Sequence, residues 1–457
     1  MLAELRGLNE ACGVFGVWNH PRASQIAYYA LHSLQHRGQE GAGIVASDGE
    51  TLRIRKGQGL VTEVFSAESM DRLHGRAAIG HVRYSAGGVN GFENVQPLLF
   101  RSQSGDFAIA HNGNLTNARA LRGMLEEEGS IFQTAADAEI LAHLTKRGRK
   151  GPLPERLMDA LAKLAGAYAF VMLKEDALYA ALDPHGIKPL SLGRLGEGYV
   201  VSSETCAFDL IGAEHLRDVE PGELIIIDAE GVHSRSFASS EQEALCTMEY
   251  VYFSRPDSNL RGLNVHTARK KLGKALAAEF PIDADVVTGV PDSSLSAAIG
   301  YAEAAGLPYE LGLIKSRYVG RTFIEPSQSL REQGVKLKLS AVRGVVEGKR
   351  VVMVDDSLVR GTTGRRITTL LREAGAREVH VLIASPTIQY PCYYGMDTLS
   401  TDELAAANHS VEELRQMMNA DSLGFLSVER TQRVFQCGLC MACFTGEYPA
   451  REVEADV

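Results

Sequence analysis

Two different patterns of apolar and polar residues divide this chain. From Cys12 to about residue 240 the apolar runs are short, as at residues 12–18, 77–84 and 107–112, and Gly and Asn clusters punctuate them. Short apolar runs bounded by turn formers predict strands. Two stretches with helical spacing fall between them, at 23–34 and 136–145. This pattern predicts an α+β domain with antiparallel sheets. From about residue 267 the pattern becomes an alternation. Residues 284–290, 351–354 and 378–384 read as strands, and 296–305 and 365–374 as helices. Such alternation predicts an α/β domain built on a doubly wound parallel sheet. The polar stretch 234–243 is the expected linker, dividing the chain into 12–240 and 241–457.

The densest chemistry follows the run Val351-Val352-Met353-Val354, which continues Asp355-Asp356-Ser357-Leu358-Val359-Arg360-Gly361-Thr362-Thr363. Ligands of open α/β sheets bind beyond the carboxyl ends of the strands. A Ser/Gly/Thr turn there offers N–H groups and hydroxyls to a phosphate, and the next helix aims its positive end at the same anion. An acid pair suits ribose hydroxyls or a Mg²⁺ that holds pyrophosphate. The segment resembles the signature of type I phosphoribosyltransferases, which bind 5-phosphoribosyl-1-pyrophosphate (PRPP). That resemblance assigns Asp355 and Asp356 to ribose and metal, and Ser357, Arg360, Gly361, Thr362 and Thr363 to the 5-phosphate. It assigns the loop Thr288-Gly289-Val290-Pro291-Asp292-Ser293-Ser294 to pyrophosphate, with Ser293 at the Mg²⁺ position. A basic stretch, Lys315 with Arg317, Arg321 and Lys336, stands out in an acidic protein and is expected to close over PRPP as a lid, excluding water.

In the first half Cys12 opens a strand-like run near the amino terminus. Alone it reads as a small buried strand residue. Its companions change that reading: His36-Arg37-Gly38-Gln39-Glu40-Gly41, Gly80-His81-Val82-Arg83-Tyr84, His111-Asn112-Gly113-Asn114, and Ala136-Asp137-Ala138 are expected as polar loops at element ends. An Arg can clamp a carboxylate, an Asp can take an ammonium group, and an Asn amide beside a Gly N–H can hold an oxyanion. A thiol next to its own free α-amino group has a built-in base, which requires removal of residues 1–11 as a propeptide. These motifs resemble the N-terminal-nucleophile (Ntn) class II glutamine amidotransferases. The resemblance implies Cys12 as nucleophile and Asn112 with Gly113 as oxyanion hole. It gives Arg37, Arg83 and Asp137 to glutamine, with Arg37 near the cysteine, Arg83 on the carboxylate and Asp137 on the amino group. The family's usual Thr after the Arg-aromatic pair is replaced here by Ala86.

Seven cysteines are present, and Cys437-x-x-Cys440-x-x-Cys443 has metal-ligand spacing, with Cys246 and Cys392 able to complete a four-thiolate site. Spacing alone leaves zinc and iron–sulfur open. Both halves together, with the stretches 248–258 and 443–446, resemble the glutamine phosphoribosylpyrophosphate amidotransferases. The resemblance is to the propeptide-processed, cluster-bearing branch, and it implies a [4Fe–4S] cluster on Cys246, Cys392, Cys440 and Cys443, with a structural role. It further implies transfer of the glutamine amide nitrogen to PRPP, feedback inhibition by purine nucleotides and a homotetramer.

A formal net charge of −10 over 457 residues argues against a general nucleic-acid or membrane binder. The chain has no apolar run of bilayer-spanning length and its first residues lack the core of a signal peptide, so a cytoplasmic location and reduced cysteines are expected. Two other readings use the same residues: a PRPP-sensing regulator without catalysis, and a paralogue that only hydrolyses glutamine.

Overall fold

The computed structural model describes residues 12–84, 91–103, 105–148, 151–239, 242–316, 339–396, 398 and 400–450. Among the described residues the first half contributes thirteen strands. They are β1 (Gly13–Trp18), β2 (Gly41–Ser47), β3 (Leu52–Gln58), β4 (Ala77–Arg83), β5 (Leu98–Phe100), β6 (Phe107–Leu115) and β7 (Gly166–Lys174). After these come β8 (Leu178–Leu182), β9 (Ser191–Leu195), β10 (Gly198–Ser202), β11 (Glu214–Asp218), β12 (Glu223–Asp228) and β13 (Gly231–Ser236).

They form two antiparallel sheets, β11-β9-β10-β1-β4-β2-β3 and β13-β12-β8-β7-β6-β5. Alternation along β1 explains the layering. Val14 packs into the core between the sheets, with Val45, Ile79, Ala108 and Val171. Phe15 and Val17 point the other way, onto the helix Ala23–Ser33. The second sheet is covered likewise by the helices Ala118–Glu127, Ala138–Arg147 and Leu153–Leu161. The result is a helix–sheet–sheet–helix sandwich, in which central strands are buried on both faces and lose the simple two-residue alternation of polarity.

The register positions the first site. Gly13 pairs with Val82 and Gly41 with Arg83, so the residue before β1 arrives beside the end of β4. The expected linker begins too early: residues 234–236 belong to β13, where Leu224 pairs with Arg235, and exposed polar side chains on an edge strand imitate a linker.

The second half opens with β14 (Leu245–Cys246) and the short hairpin β15 (Asn259–Leu260) and β16 (Leu263–Asn264). Its main sheet joins β17 (Val286–Gly289), β20 (Arg350–Asp355), β21 (Glu378–Ile383) and β22 (Ser422–Phe425), all parallel, with β18 (Leu313–Lys315) and β19 (Leu339–Ala341) as a separate pair. Val352 and Val354 face the helices Val265–Glu279 and Leu295–Ala305, while Val351 and Met353 face Thr362–Glu373 and Val411–Met417. Burial on both faces is why β20 reads as an unbroken apolar run. Near the carboxyl end β23 (Leu439–Cys440) pairs with β14 and thereby ties the tail to the start of this half. Among the described residues no helix is long and apolar enough to cross a membrane.

The helices Val265–Glu279 and Leu295–Ala305 cross at glycines. A Cβ on Gly273 would stand 1.9 Å from the Ala297 carbonyl oxygen, and one on Gly300 2.1 Å from that of Lys270. Gly300→Ala is therefore expected to push the helices apart and cost about 2 kcal/mol, as overpacking does. A lowered urea midpoint, followed by circular dichroism, is the check.

Candidate functional sites

Cys12 lies at the rim of the first sandwich, half-buried. Its Sγ donates to the Tyr84 carbonyl at 3.2 Å, and the Tyr84 N–H approaches Sγ at 3.3 Å. Burial pushes the thiol's pKa up, while the Tyr84 hydrogen bond and the charges of Arg83, Lys188 and Arg37 pull the other way. Arg83 Nη1 donates to the Asn94 carbonyl at 2.5 Å. The next residues, including Ser85 and Ala86, lie outside the described residues.

Asn112 and Gly113 stand inside β6, not in a loop beyond it. Asn112 is completely buried, and among the described residues neither its amide oxygen nor its amide nitrogen has a hydrogen-bond partner. Buried amides are nearly always satisfied, so an orphaned one marks a place where a ligand's polar atom fits. Gly113 has φ +138°, and a Cβ there would fall 2.0 Å from the Ala167 carbonyl oxygen. Only glycine allows that approach of β6 to β7. His81 and His111, expected in polar loops, are buried strand residues on β4 and β6. Desolvation first, then neighbouring cations, lowers each to about 3, so both are neutral near pH 7. His81 Nε2 meets the His111 carbonyl at 3.1 Å, and His111 stacks on Phe170.

Asp137 immediately precedes the helix Ala138–Arg147 and accepts the Leu115 N–H at 2.9 Å. Leu115 ends the same strand that carries Asn112, so the carboxylate belongs to this site. Burial raises its pKa to about 6, against the lowering effect of that hydrogen bond and of Arg122.

Arg37 lies near the cysteine. Its Nε donates to the Cys12 carbonyl at 3.1 Å, Nη1 to Glu204 at 2.6 Å and to Glu249 at 2.9 Å, and Nη2 to Glu249 at 2.7 Å. It is 1% exposed. Four bonds already use its fork, so Arg37 fixes the backbone of the cysteine and has little left for a carboxylate ligand. Sequence reasoning missed Glu204 and Glu249, which lie far along the chain, and Lys188, which is 2% exposed and whose charge acts on Cys12, Cys246 and Cys440. A lysine inside the otherwise apolar Ile187-Lys188-Pro189-Leu190 was the available signal.

In the second half the expected loops do meet. The Ser293 hydroxyl bonds Asp356 Oδ2, and the Ser357 hydroxyl bonds Asp356 Oδ1 at 2.6 Å. The Asp356 N–H donates to Asp355 Oδ1 at 2.9 Å. Burial pushes both acids up, and for Asp355 the neighbouring Asp356 adds to it. Gly361 takes φ +73° and caps the twelve-residue helix Thr362–Glu373, which starts three residues before the sequence pattern suggests. Thr362 and Thr363 thus sit in the first turn, the end of a helix that favours an anion. Arg360 pairs with Glu403 at 2.5 Å, and Lys315 with Asp292 of the facing loop at 2.8 Å. Arg317, Arg321 and Lys336 lie outside the described residues, as do residues 1–11.

The cysteines separate into groups. All seven are free thiols. Cys246 and Cys440 are partners in the β14–β23 register, and the Cys246 N–H donates to the Ile187 carbonyl. The Cys443 carbonyl accepts the N–H groups of Gln389 and Tyr390, which brings the segment of Cys392 alongside. Cys392, Cys440 and Cys246 share an apolar surround with Ala167, Ile187 and Tyr394. Each of these four thiols lies within electrostatic range of the others. Cys437 faces Tyr250 and Glu243 instead. Among the described residues no three His, Cys, Asp or Glu side chains converge closely enough to hold a single ion. A cluster of several irons is larger than one ion, and four thiols, two of them buried and two half-buried, have the soft donor chemistry it takes.

The raised pKa of Asp137 has a stability consequence. Its folded value of about 6 exceeds the ordinary 3.8, so the folded chain holds the proton more tightly than the unfolded one. Stability tied to this group is full below about pH 4 and is lost as pH rises through 6. Asp137→Asn is expected to raise the urea midpoint at pH 7.5 and to leave it nearly unchanged at pH 4.

Comparison with known proteins agrees with both halves. A glutamine amidotransferase domain family matches residues 81–209, and a phosphoribosyl transferase domain family matches 263–412. The chain is 64% identical over 457 residues to the amidophosphoribosyltransferase of Bacillus subtilis (strain 168), covering 98% of this chain and 96% of that one. It is 51% identical over 453 residues to the Staphylococcus aureus (strain MRSA252) amidophosphoribosyltransferase, covering 97% and 92%. It matches the solved structure of the B. subtilis glutamine PRPP amidotransferase complexed with ADP and GMP at a TM-score of 0.93 and 62% identity, over 97% of this chain and 98% of that one. On this similarity along nearly its whole length, the chain belongs to the amidophosphoribosyltransferase family.

Proposed function

We infer that the chain transfers the amide nitrogen of glutamine to PRPP, giving 5-phosphoribosylamine, glutamate and pyrophosphate, the first committed step of de novo purine synthesis. The observation that carries this is the presence in one chain of a buried Asn112 amide without a partner among the described residues, a thiol at the rim of the same sandwich, and a phosphate-type loop bonded to a second loop through Asp356.

Glutamine enters the first site with its amino group at Asp137 and its carboxylate at Arg83. Cys12 Sγ attacks the amide carbon after removal of residues 1–11 frees its α-amino group to take the thiol proton. Asn112 Nδ2 and the Gly113 N–H hold the oxyanion, which develops in a dry site where such bonds count most. As the tetrahedral adduct collapses the C–N bond breaks, the α-ammonium group gives its proton to the nitrogen that leaves as ammonia, and water then hydrolyses the thioester to glutamate and the free thiol. Arg37 acts here as a positioning residue through the Cys12 carbonyl. Ammonia passes internally to the second half.

There PRPP places its 5-phosphate in the turn from Ser357 to Thr363, and its ribose hydroxyls at Asp355 and Asp356. Lys315, Arg317, Arg321 and Lys336 serve the pyrophosphate as a closing lid. Asp355, Asp356 and Ser293 offer the hard oxygen donors that suit Mg²⁺, and the ion, when bound, supplies charge neutralisation for the departing pyrophosphate. Cys246, Cys392, Cys440 and Cys443 would hold the [4Fe–4S] cluster, which supplies a crosslink between segments distant in sequence. Purine nucleotides are proposed as regulators, in line with the ADP and GMP in the related B. subtilis structure. A homotetramer and a cytoplasmic location are part of the same reading.

Cys12→Ala is expected to abolish glutamine-dependent product formation and to keep ammonia-dependent formation from PRPP. Loss of both would count against Cys12 as nucleophile. The pH profile of glutamine binding gives a second check. An α-ammonium group needs Asp137 ionised, so KM for glutamine should rise about tenfold per pH unit below about 6. Asp137→Asn should raise KM at pH 7.5 and flatten that dependence. For the cluster, anaerobically purified Cys246→Ser or Cys392→Ser protein should lack the broad iron–sulfur absorbance and bound iron, and Cys437→Ser should keep both.

A further inference from the structure

Lys188 is a buried cation without an anion. It is 2% exposed, and among the described residues its ammonium group makes no hydrogen bond and no ion pair. A buried ammonium group is costly unless an opposite charge accompanies it. The nearby carboxylates are already engaged. Asp183 is fully buried, and its oxygens accept the N–H groups of Tyr168, His185, Ile187 and Lys188 at 3.0 to 3.4 Å. Those bonds fix the turn that delivers Lys188, and they use its backbone, not its ammonium group. Asp218 lines a small cleft with Lys188, but its carboxylate takes the Ser191 hydroxyl at 2.7 Å and the Arg261 N–H at 2.9 Å.

The ammonium group lies among the segments that carry the clustered thiols. Ile187, its neighbour in sequence, accepts the Cys246 N–H at 3.1 Å, and Cys246 is the register partner of Cys440. A Cβ on Gly395, three residues after Cys392, would stand 3.3 Å from Lys188 Nζ. Segments of three of the four thiols thus border on Lys188. Among the charges of the described residues that act most on Cys246 and Cys440, it is the one cation. Cys12 is also in range of Lys188, but it has Arg83 and Arg37 besides. A free thiol offers an ammonium group no charge, whereas a thiolate on iron does. Four thiolates outweigh the charge of a resting [4Fe–4S] core, so the loaded site as a whole is net negative.

We propose that Lys188 is the counter-charge of the four-cysteine cluster, holding its reduction potential up and slowing its oxidation. The inference rests on the cluster reading above. Net charge and hydrogen bonding around such a cluster set its potential. A cation in a dry surround favours the form with one more electron, so loss of an electron to dioxygen becomes harder.

The test uses the full-length enzyme purified without oxygen. Iron content, reduction potential by voltammetry, and the rate at which the iron–sulfur absorbance decays in air are measured for the parent, Lys188→Met and Lys188→Arg. Met keeps the apolar stem and removes the charge, while Arg keeps the charge. Lys188→Met should show a more negative potential and lose its absorbance in air at least threefold faster. Lys188→Arg should keep a potential near that of the parent and a decay rate within twofold of it. If Lys188→Met is purified without iron, Lys188→Gln takes its place with the same expectation, and iron retained by Lys188→Arg alone would support the proposal too. Parent-like potential and decay in a neutral variant would overturn it, and a fall in glutamine kcat/KM in that variant would place Lys188 with the glutamine site instead. An equal change in Lys188→Arg, or loss of iron from all three variants, would show that Lys188 acts by packing and would also overturn it. A parent enzyme that holds no iron under anaerobic conditions would overturn the cluster reading itself.

Discussion

A guanidinium with 1% of its surface exposed needs anions, and the position of those anions organises the molecule. Arg37 draws Glu204 from 167 residues away and Glu249 from 212 residues away. Burial would lower its pKa, but Glu249 and then Glu204 hold it above the ordinary arginine value. Glu204 answers in kind: burial would raise it, and His36 and Arg37 keep it below the usual carboxylate range. Its remaining lone pairs take the Arg255 N–H and the Ser258 hydroxyl, at 2.9 and 2.7 Å. The first sandwich is thereby fastened to the segment that opens the second half, and the cysteine carbonyl sits on the fastening. Removing one partner would leave a buried charge without its complement, which costs far more than the intact cluster contributes.

Much of the plan could be read from the chain, for physical reasons that vary by element. β20 was clear because a strand covered on both faces must be apolar throughout, and because its end carries acids and small residues that a core would not tolerate. The helix Leu295–Ala305 was placed within a residue, since its αL cap at Gly306 ends it sharply. Edge elements were harder. β13 looks like a linker because its side chains face water. β22, only four residues long, has too few positions for a pattern.

The sites divide in the same way. Asp355, Asp356 and the Gly361 turn are contiguous, so their chemistry shows in a single window. Asn112 and Gly113 were identified by residue type, yet placed wrongly as a loop, because their burial comes from β7 and not from their own neighbours. The place of Arg37 near the cysteine was legible from its motif, but the two glutamates that bury it are invisible to any local pattern. Ion pairs between residues two hundred positions apart belong to the topology, and sequence spacing carries no trace of them.

What remains after the fold closes is a set of groups left deliberately incomplete. Asp137 is raised by burial against the opposing Leu115 hydrogen bond and Arg122 charge. Asp355 and Asp356 are both raised by burial, and Asp355 also by the charge of its neighbour. Asn112 has an amide without a partner among the described residues. Each is unfavourable in the free protein, and each is corrected by a different ligand charge: an ammonium, a divalent cation, an oxyanion. Native structures satisfy nearly all of their buried polar groups. Among the described residues the exceptions are few, and Asn112 is the one side-chain amide that lacks a partner at both its oxygen and its nitrogen. Ligand binding therefore relieves an unfavourable electrostatic state at both sites.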